Sequence, residues 1–144
     1  MKRTTLYATI IGALVLSAAA FGISAAVDAP RSLMAPLDYS AAKRTIEGDS
    51  RAALARCHDL EDHPLDICKA DARADERIRK ADLEADYRGT VAAAADARLA
   101  RAKAQYDVAR VKCGGEHGEG KLSCLRSARA DKAKALANAK LAST

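Results

Sequence analysis

The residues best suited to metal or ligand chemistry lie in one short segment, the turn at residues 58–66. His58 and His63 stand there among aspartate and glutamate residues, and Cys57 and Cys68 flank the turn. Imidazole, thiolate and carboxylate groups bind zinc and copper, so the segment is a candidate metal- or small-ligand-binding module. The second half of the chain offers a weaker version with Cys113, His117 and Cys124. No C-x2-C spacing occurs, and exposed polar turn residues explain both histidines without a metal. We therefore predict no metal site and keep the module as the alternative.

The composition favours neither catalysis nor nucleic-acid binding. Of the 144 residues, 35 are alanine, only 3% are aromatic and none is tryptophan. So little apolar bulk does not build the deep pocket that a typical enzyme uses. A phosphate-binding loop follows a strand and precedes a helix, and no strand precedes the glycines of residues 114–120. We therefore interpret these glycines as a connection between two helices. Basic residues alternate with acidic ones and lack an aromatic stacking platform, so we predict no catalytic residue, no cofactor and no nucleic-acid partner.

The N-terminal residues have the order of a secretory signal. Two positive charges, Lys2 and Arg3, precede an uncharged apolar run at residues 6–27 that ends in small residues. We predict a signal peptide at residues 1–26, cleaved after Ala26, and therefore a periplasmic protein with a flexible N-terminal segment at residues 27–38. The alternative is an uncleaved inner-membrane anchor, because the run approaches the roughly 20 residues that a spanning helix needs.

The four cysteines divide the remaining chain into two copies of one unit. Cys57 and Cys68 are separated by the same 11 positions as Cys113 and Cys124, and the two pairs are 56 residues apart. The same offset superposes two copies of the sequence Ala-Arg-Ala-Asp, at 72–75 and 128–131. Each pair brackets proline or glycine residues, which predicts a helix, a turn and a returning helix. Of the three possible pairings, symmetry and the turns favour Cys57 with Cys68 and Cys113 with Cys124.

We predict an all-α fold of two tandem, disulfide-stapled antiparallel helical hairpins, at residues 39–88 and 89–144. Small apolar residues recur in steps of three and four and so form thin helical seams. These positions are Tyr39, Ala42, Ile46, Ala53 and Cys57 in the first unit, and Ala95, Leu99, Ala102, Tyr106, Ala109 and Cys113 in the second. The joint at Gly89 allows either one long kinked central helix or a break capped by Thr90, and the interrupted seam favours the break.

Charge differs between the two units. Residues 39–97 carry a net charge of −3 and residues 98–140 a net charge of +7. Alternating charges commonly mark a solvated helix face. The asymmetry also suggests self-association of the acidic first repeat with the basic second repeat, or contact of the basic repeat with an anionic envelope surface. We expect a non-enzymatic periplasmic structural or interaction protein with an unidentified protein or envelope partner.

The paired C-x10-C units resemble those of a group of uncharacterised, exported, alanine-rich proteins of Gram-negative bacteria, sometimes labelled TolA-like. The similarity covers roughly residues 39–140 and includes the segments 81–87 and 106–113. Between the cysteines, this group typically has D-x-L-x-G-N-A-K-D-V, which agrees here at Leu60, Asp66, Ile67, Gly118 and Lys121. The group usually has proline where this chain has Gly89, so the resemblance implies a turn between the units. It implies no activity.

Overall fold

A computed structural model describes residues 34–141, which form four α-helices and no strand. Helix α1 spans Pro36–Arg56, α2 spans Asp62–Arg88, α3 spans Val91–Lys112 and α4 spans Gly118–Leu141. Two short 3-10 turns, Cys57–Asp59 and Cys113–Gly115, follow α1 and α3. The predicted all-α class is therefore confirmed.

The helices run alternately up and down, and each packs mainly on its neighbours along the chain. Side-chain hydrogen bonds show the antiparallel direction: Tyr39, early in α1, reaches Glu84, late in α2, whereas Ser50 reaches Glu76. Helices α2 and α3 lie in the middle and share the most extensive interface, while α1 and α4 are the edge helices. Because alternate connections meet at the same end, both disulfide-closed turns lie side by side there.

The connection between α2 and α3 is a sharp turn. Gly89 ends α2 in the left-handed conformation, with φ of 61°, and its N–H donates to the carbonyl oxygen of Ala85 at 2.8 Å. A glycine pays no Cβ penalty in this conformation, which makes it a common helix terminator. The Thr90 hydroxyl then accepts a hydrogen bond from the N–H of Ala93 at 3.1 Å and caps α3. The alternative of one long central helix through Gly89 is therefore wrong.

The two hairpins repeat in backbone detail. Their 3-10 turns begin at Cys57 and Cys113, and their returning helices begin at Asp62 and Gly118. Both pairs of positions are 56 residues apart, as the two cysteine pairs are. The first residue of each returning helix is left-handed, with φ of 51° at Asp62 and 53° at Gly118. The same unusual conformation at equivalent positions supports the internal repeat that the cysteines predict.

The predicted seams contain five of the 13 buried residues in the described range. Ile46 and Cys57 are buried in the first seam, and Ala95, Ala102 and Cys113 in the second. Helix α3 buries a further set of alanines on its other side, because it packs against two neighbours and not one. These residues, which the single predicted seam missed, are Ala93, Ala97 and Ala104.

Two predictions concern the N-terminal region. The signal peptide at residues 1–26, its cleavage after Ala26 and the membrane-anchor alternative lie outside the described residues. The segment at 27–38 lies mostly outside them, but α1 already begins at Pro36, before the predicted boundary at 39. Within residues 34–141, no helix has the length and apolar character needed to cross a membrane.

Candidate functional site

The four cysteines form two disulfide bonds, Cys57 with Cys68 and Cys113 with Cys124, as predicted. The paired Cα atoms are 5.7 Å apart in both bonds, and Cys57 and Cys113 are fully buried. Each bond joins the end of one helix to the first turns of its partner. No free cysteine remains in the described part of the chain, so its sulfur atoms act as crosslinks.

The two histidines of the predicted turn have different surroundings in the structure. The His63 ring lies between the two disulfide turns: its Nε2 donates to the carbonyl oxygen of Lys112 at 3.3 Å, in the tautomer protonated there. A Cβ atom on Gly115 would lie 2.7 Å from the same ring, so this glycine makes room for it. His58 is exposed. Residues 34–141 hold no group of three or more histidine, cysteine or acidic residues arranged for a metal. A metal- or small-ligand-binding module at residues 58–66 stays a prediction.

A hydrogen-bonded cluster links α1 to α2. Glu76 accepts hydrogen bonds from Lys80 and from the buried Ser50, both at 2.7 Å. The hydrogen bond from Lys80, with a smaller contribution from Ser50, lowers the pKa of the Glu76 carboxyl. Lys80 also lies 3.3 Å from Glu47 of α1. Sequence reasoning missed Ser50 because an isolated serine on a seam is not distinguished by its spacing.

Two tyrosines strengthen the other end of the same interface. The rings of Tyr39 and Tyr87 have centroids 4.4 Å apart, and the Tyr39 hydroxyl donates to Glu84 at 2.8 Å. That hydrogen bond stabilises the protonated phenol and the ionised carboxylate, so it raises the pKa of Tyr39 and lowers the pKa of Glu84. The cluster fixes the register of α1 on α2.

Ion pairs between α2 and α3 join the acidic and basic repeats within one chain. Arg101 contacts Asp82 at 2.5 Å, and Lys112 contacts Asp71 at 3.3 Å. A third pair, between Arg77 and Asp107 at 2.9 Å, has the opposite polarity. Part of the charge complementarity that predicted association between chains is therefore used inside the molecule.

Helix α2 carries two charged stripes on opposite faces. The acidic stripe comprises Asp71, Asp75, Asp82 and Asp86, and the basic stripe comprises Lys69, Arg73, Arg77 and Lys80. Steps of three, four or seven residues keep each set on one side of a helix. The stripes face opposite sides of the layer because α2 is covered by α1 on one flank and by α3 on the other. These spacings were readable in the sequence, but which face remains open depends on how the helices pack.

An open groove runs along the basic stripe between α2 and α3. Two adjoining cavities, of about 510 and 420 Å³, share Ala70, Arg73 and Val111 as walls. Lys69 and Arg110 line the second cavity and Arg77 the first. Glu76 and Asp107 also line the first cavity, whereas the second has three cations and the single carboxylate of Asp66, so the second cavity is suited to an anion.

No protein-family model matches this chain, and no curated protein or solved structure does either. The resemblance to exported alanine-rich proteins stays an expectation based on cysteine spacing. Function is therefore argued from the disulfide-closed turns, the charged stripes and the groove.

Proposed function

We propose that this protein is an exported, non-enzymatic interaction protein of the periplasm that binds an anionic partner surface through its edge helix α4. The observation that carries this proposal is the charge of α4. It has six basic and two acidic residues and packs mainly on α3, so its outer side is open. Among the described residues, five of its cations have no acidic partner: Lys121, Arg126, Arg129, Lys134 and Lys132, the last of which lies over the Tyr106 ring.

The rest of the layer supports the assignment of α4 as the contact helix. Among the described residues, five ion pairs cross the α1/α2 and α2/α3 interfaces, for example Arg79 with Asp49 at 2.8 Å. Helix α4 adds an apolar side chain to its open cations, because Leu122 is 56% exposed. Basic residues beside an exposed leucine are suited to an acidic protein surface or to an anionic envelope surface. The two disulfides would keep such a thin layer folded in an oxidising compartment.

Charge reversal on α4 tests the contact. Arg126→Glu with Arg129→Glu changes the net charge by the same amount as Arg44→Glu with Arg56→Glu on α1, the opposite edge. Crosslinking of the intact protein in its native envelope should lose the partner with the α4 variant and keep it with the α1 variant. Equal loss with both variants would show that net charge alone, and not α4, governs association.

Two further measurements separate the partner classes and the compartment. Sedimentation at low and high salt tests self-association of the acidic and basic repeats, which requires a salt-sensitive dimer or larger species. Intact mass of the exported protein tests the signal peptide, because cleavage after Ala26 removes residues 1–26. A mass that retains those residues would contradict cleavage and favour the membrane-anchor alternative.

A further inference from the structure

The groove between α2 and α3 contains a concentration of cations that the fold does not neutralise. Within residues 34–141, Lys69, Arg73 and Arg110 form no ion pair, although all three line the same cavity. Their neighbours differ: Arg77 pairs with Asp107. The like charges of Lys69 and Arg73, four residues apart on one helix, repel each other.

The register of the two helices makes this arrangement unusual. Asp71 pairs with Lys112 and Arg77 pairs with Asp107, so the level between these two pairs brings Arg73 of α2 opposite Arg110 of α3. The flanking levels join opposite charges across the interface, whereas at this level both residues are arginines and both line the same cavity. A bound anion would relieve the repulsion that the chain leaves in place.

We propose that this groove binds a phosphate group through Lys69, Arg73 and Arg110. Two guanidinium groups offer planar pairs of N–H donors that match phosphate oxygens, and the ammonium group adds a point charge. Asp66 also lines the cavity, so the three cations and this carboxylate leave a formal charge of +2. A phosphate monoester carries a charge of about −1.5 to −2 at neutral pH and balances it, whereas a single carboxylate does not.

The walls of the groove leave space for such a group. Ala70, Val111 and Gly114 line the cavity of about 420 Å³, and none of them projects a long side chain into it. The groove opens to solvent along its length, so the ligand can be a free phosphate ester or a phosphomonoester headgroup at a lipid surface. This site lies on a different interface from the α4 contact proposed above, and neither proposal depends on the other.

Titration of the oxidised, full mature chain with inorganic phosphate tests the site, with chloride at equal ionic strength as the reference. We expect saturable binding near a Kd of about 1 mM, and at least a roughly tenfold loss for Arg73→Gln and for Arg110→Gln. Arg44→Gln on α1 removes the same charge from an exposed position outside both the groove and α4, and should weaken binding less than about twofold. Both groove variants keep a good helix former at an exposed position, so they should fold.

Vesicles distinguish the source of the phosphate. Sedimentation with vesicles of phosphatidic acid, compared with vesicles of phosphatidylcholine, detects a lipid headgroup, and free phosphate should compete with it. Binding to phosphatidic acid that Arg73→Gln abolishes assigns the site to a lipid, and binding to free phosphate alone assigns it to a soluble ester. The proposal is overturned if neither probe binds, or if Arg44→Gln weakens binding as much as Arg73→Gln does.

Discussion

Loss of the second disulfide should release α4 from the layer, whereas loss of the first should leave α1 largely in place. The two edge helices are crosslinked alike but packed differently. Between residues 91 and 139, no ion pair joins α3 to α4; alanines of both helices line the cavity between them, and Lys132 lies over the Tyr106 ring at 4.3 Å. Helix α1 has two part-buried hydrogen bonds to α2, from Ser50 and from Tyr39.

The magnitudes follow from loop length and from these contacts. Each disulfide closes a segment with a sequence separation of 11 residues. On the chain-entropy model, a loop of this size contributes about 3 kcal/mol, equally for both bonds. The two α1 hydrogen bonds add about 1 kcal/mol each to that edge. Once its own disulfide is removed, α4 should therefore retain about 2 kcal/mol less local stability than α1 does, which corresponds to an open fraction about 30-fold larger.

Hydrogen exchange measures this difference directly. We would compare α4 amides in Cys113→Ser with Cys124→Ser against α1 amides in Cys57→Ser with Cys68→Ser. In these variants, the protection factors of α4 should be about 30-fold lower than those of α1. Each double variant should also melt about 12 °C lower, at about 4 °C for each kcal/mol lost. Reduced and alkylated wild-type protein is the control and should lose protection at both edges.

Two outcomes would refute the reasoning. If the α1 amides in their variant were protected no better than the α4 amides in theirs, the Ser50 and Tyr39 hydrogen bonds would not stabilise the first edge as the structure indicates. If neither variant melted at a lower temperature than the wild-type protein, the disulfides would not stabilise the fold, and the entropy argument would fail.

Four further substitutions test local features, each by urea unfolding. Gly118→Ala places a Cβ at a left-handed residue and should cost about 1 kcal/mol, whereas Asp62→Gly at the equivalent position should stabilise by up to about 1 kcal/mol. Thr90→Ala removes the cap of α3 and should cost about 1 kcal/mol, with Thr90→Ser as the neutral control. The pKa of Glu76 in the folded state lies below its ordinary value of 4.5. Its ionised carboxylate therefore adds to the free energy of unfolding at pH values above 4.5, and this contribution is lost as the pH falls through the folded-state pKa. In Glu76→Gln, the free energy of unfolding should fall less steeply at acid pH than in the wild-type protein. An unchanged pH dependence would contradict the role of the cluster with Ser50.

Most of the fold was predictable because its signals are local. Cysteine spacing predicted the two disulfides, and steps of three and four residues predicted the seams that bury Ile46 and Ala102. Gly89 left a choice between a continuous helix and a turn, since one glycine costs a helix only about 1 kcal/mol. The turn is formed because Gly89 and Thr90 terminate and cap adjacent helices while α3 returns along α2.

The candidate site was much less predictable. The turn at residues 58–66 attracted attention because histidines and carboxylates are concentrated there, yet the structure uses His63 to join the two turns and leaves His58 exposed. The sequence did not predict the groove, because Arg73 and Arg110 are distant in sequence and each resembles an ordinary surface charge. Only their convergence makes them a site.

The sequence by itself determined which residues are helical, which cysteines pair and where each hairpin turns, because propensity, periodicity and capping act over a few residues. The tertiary structure decided how the helices align. Because of that alignment, Ser50 donates a hydrogen bond to Glu76, and Asp71 and Asp82 form ion pairs with residues of α3. It also brings Arg73 and Arg110 to the same cavity. The physical reason is that the register between helices is fixed by the summed packing of small side chains along whole interfaces, which no single segment encodes.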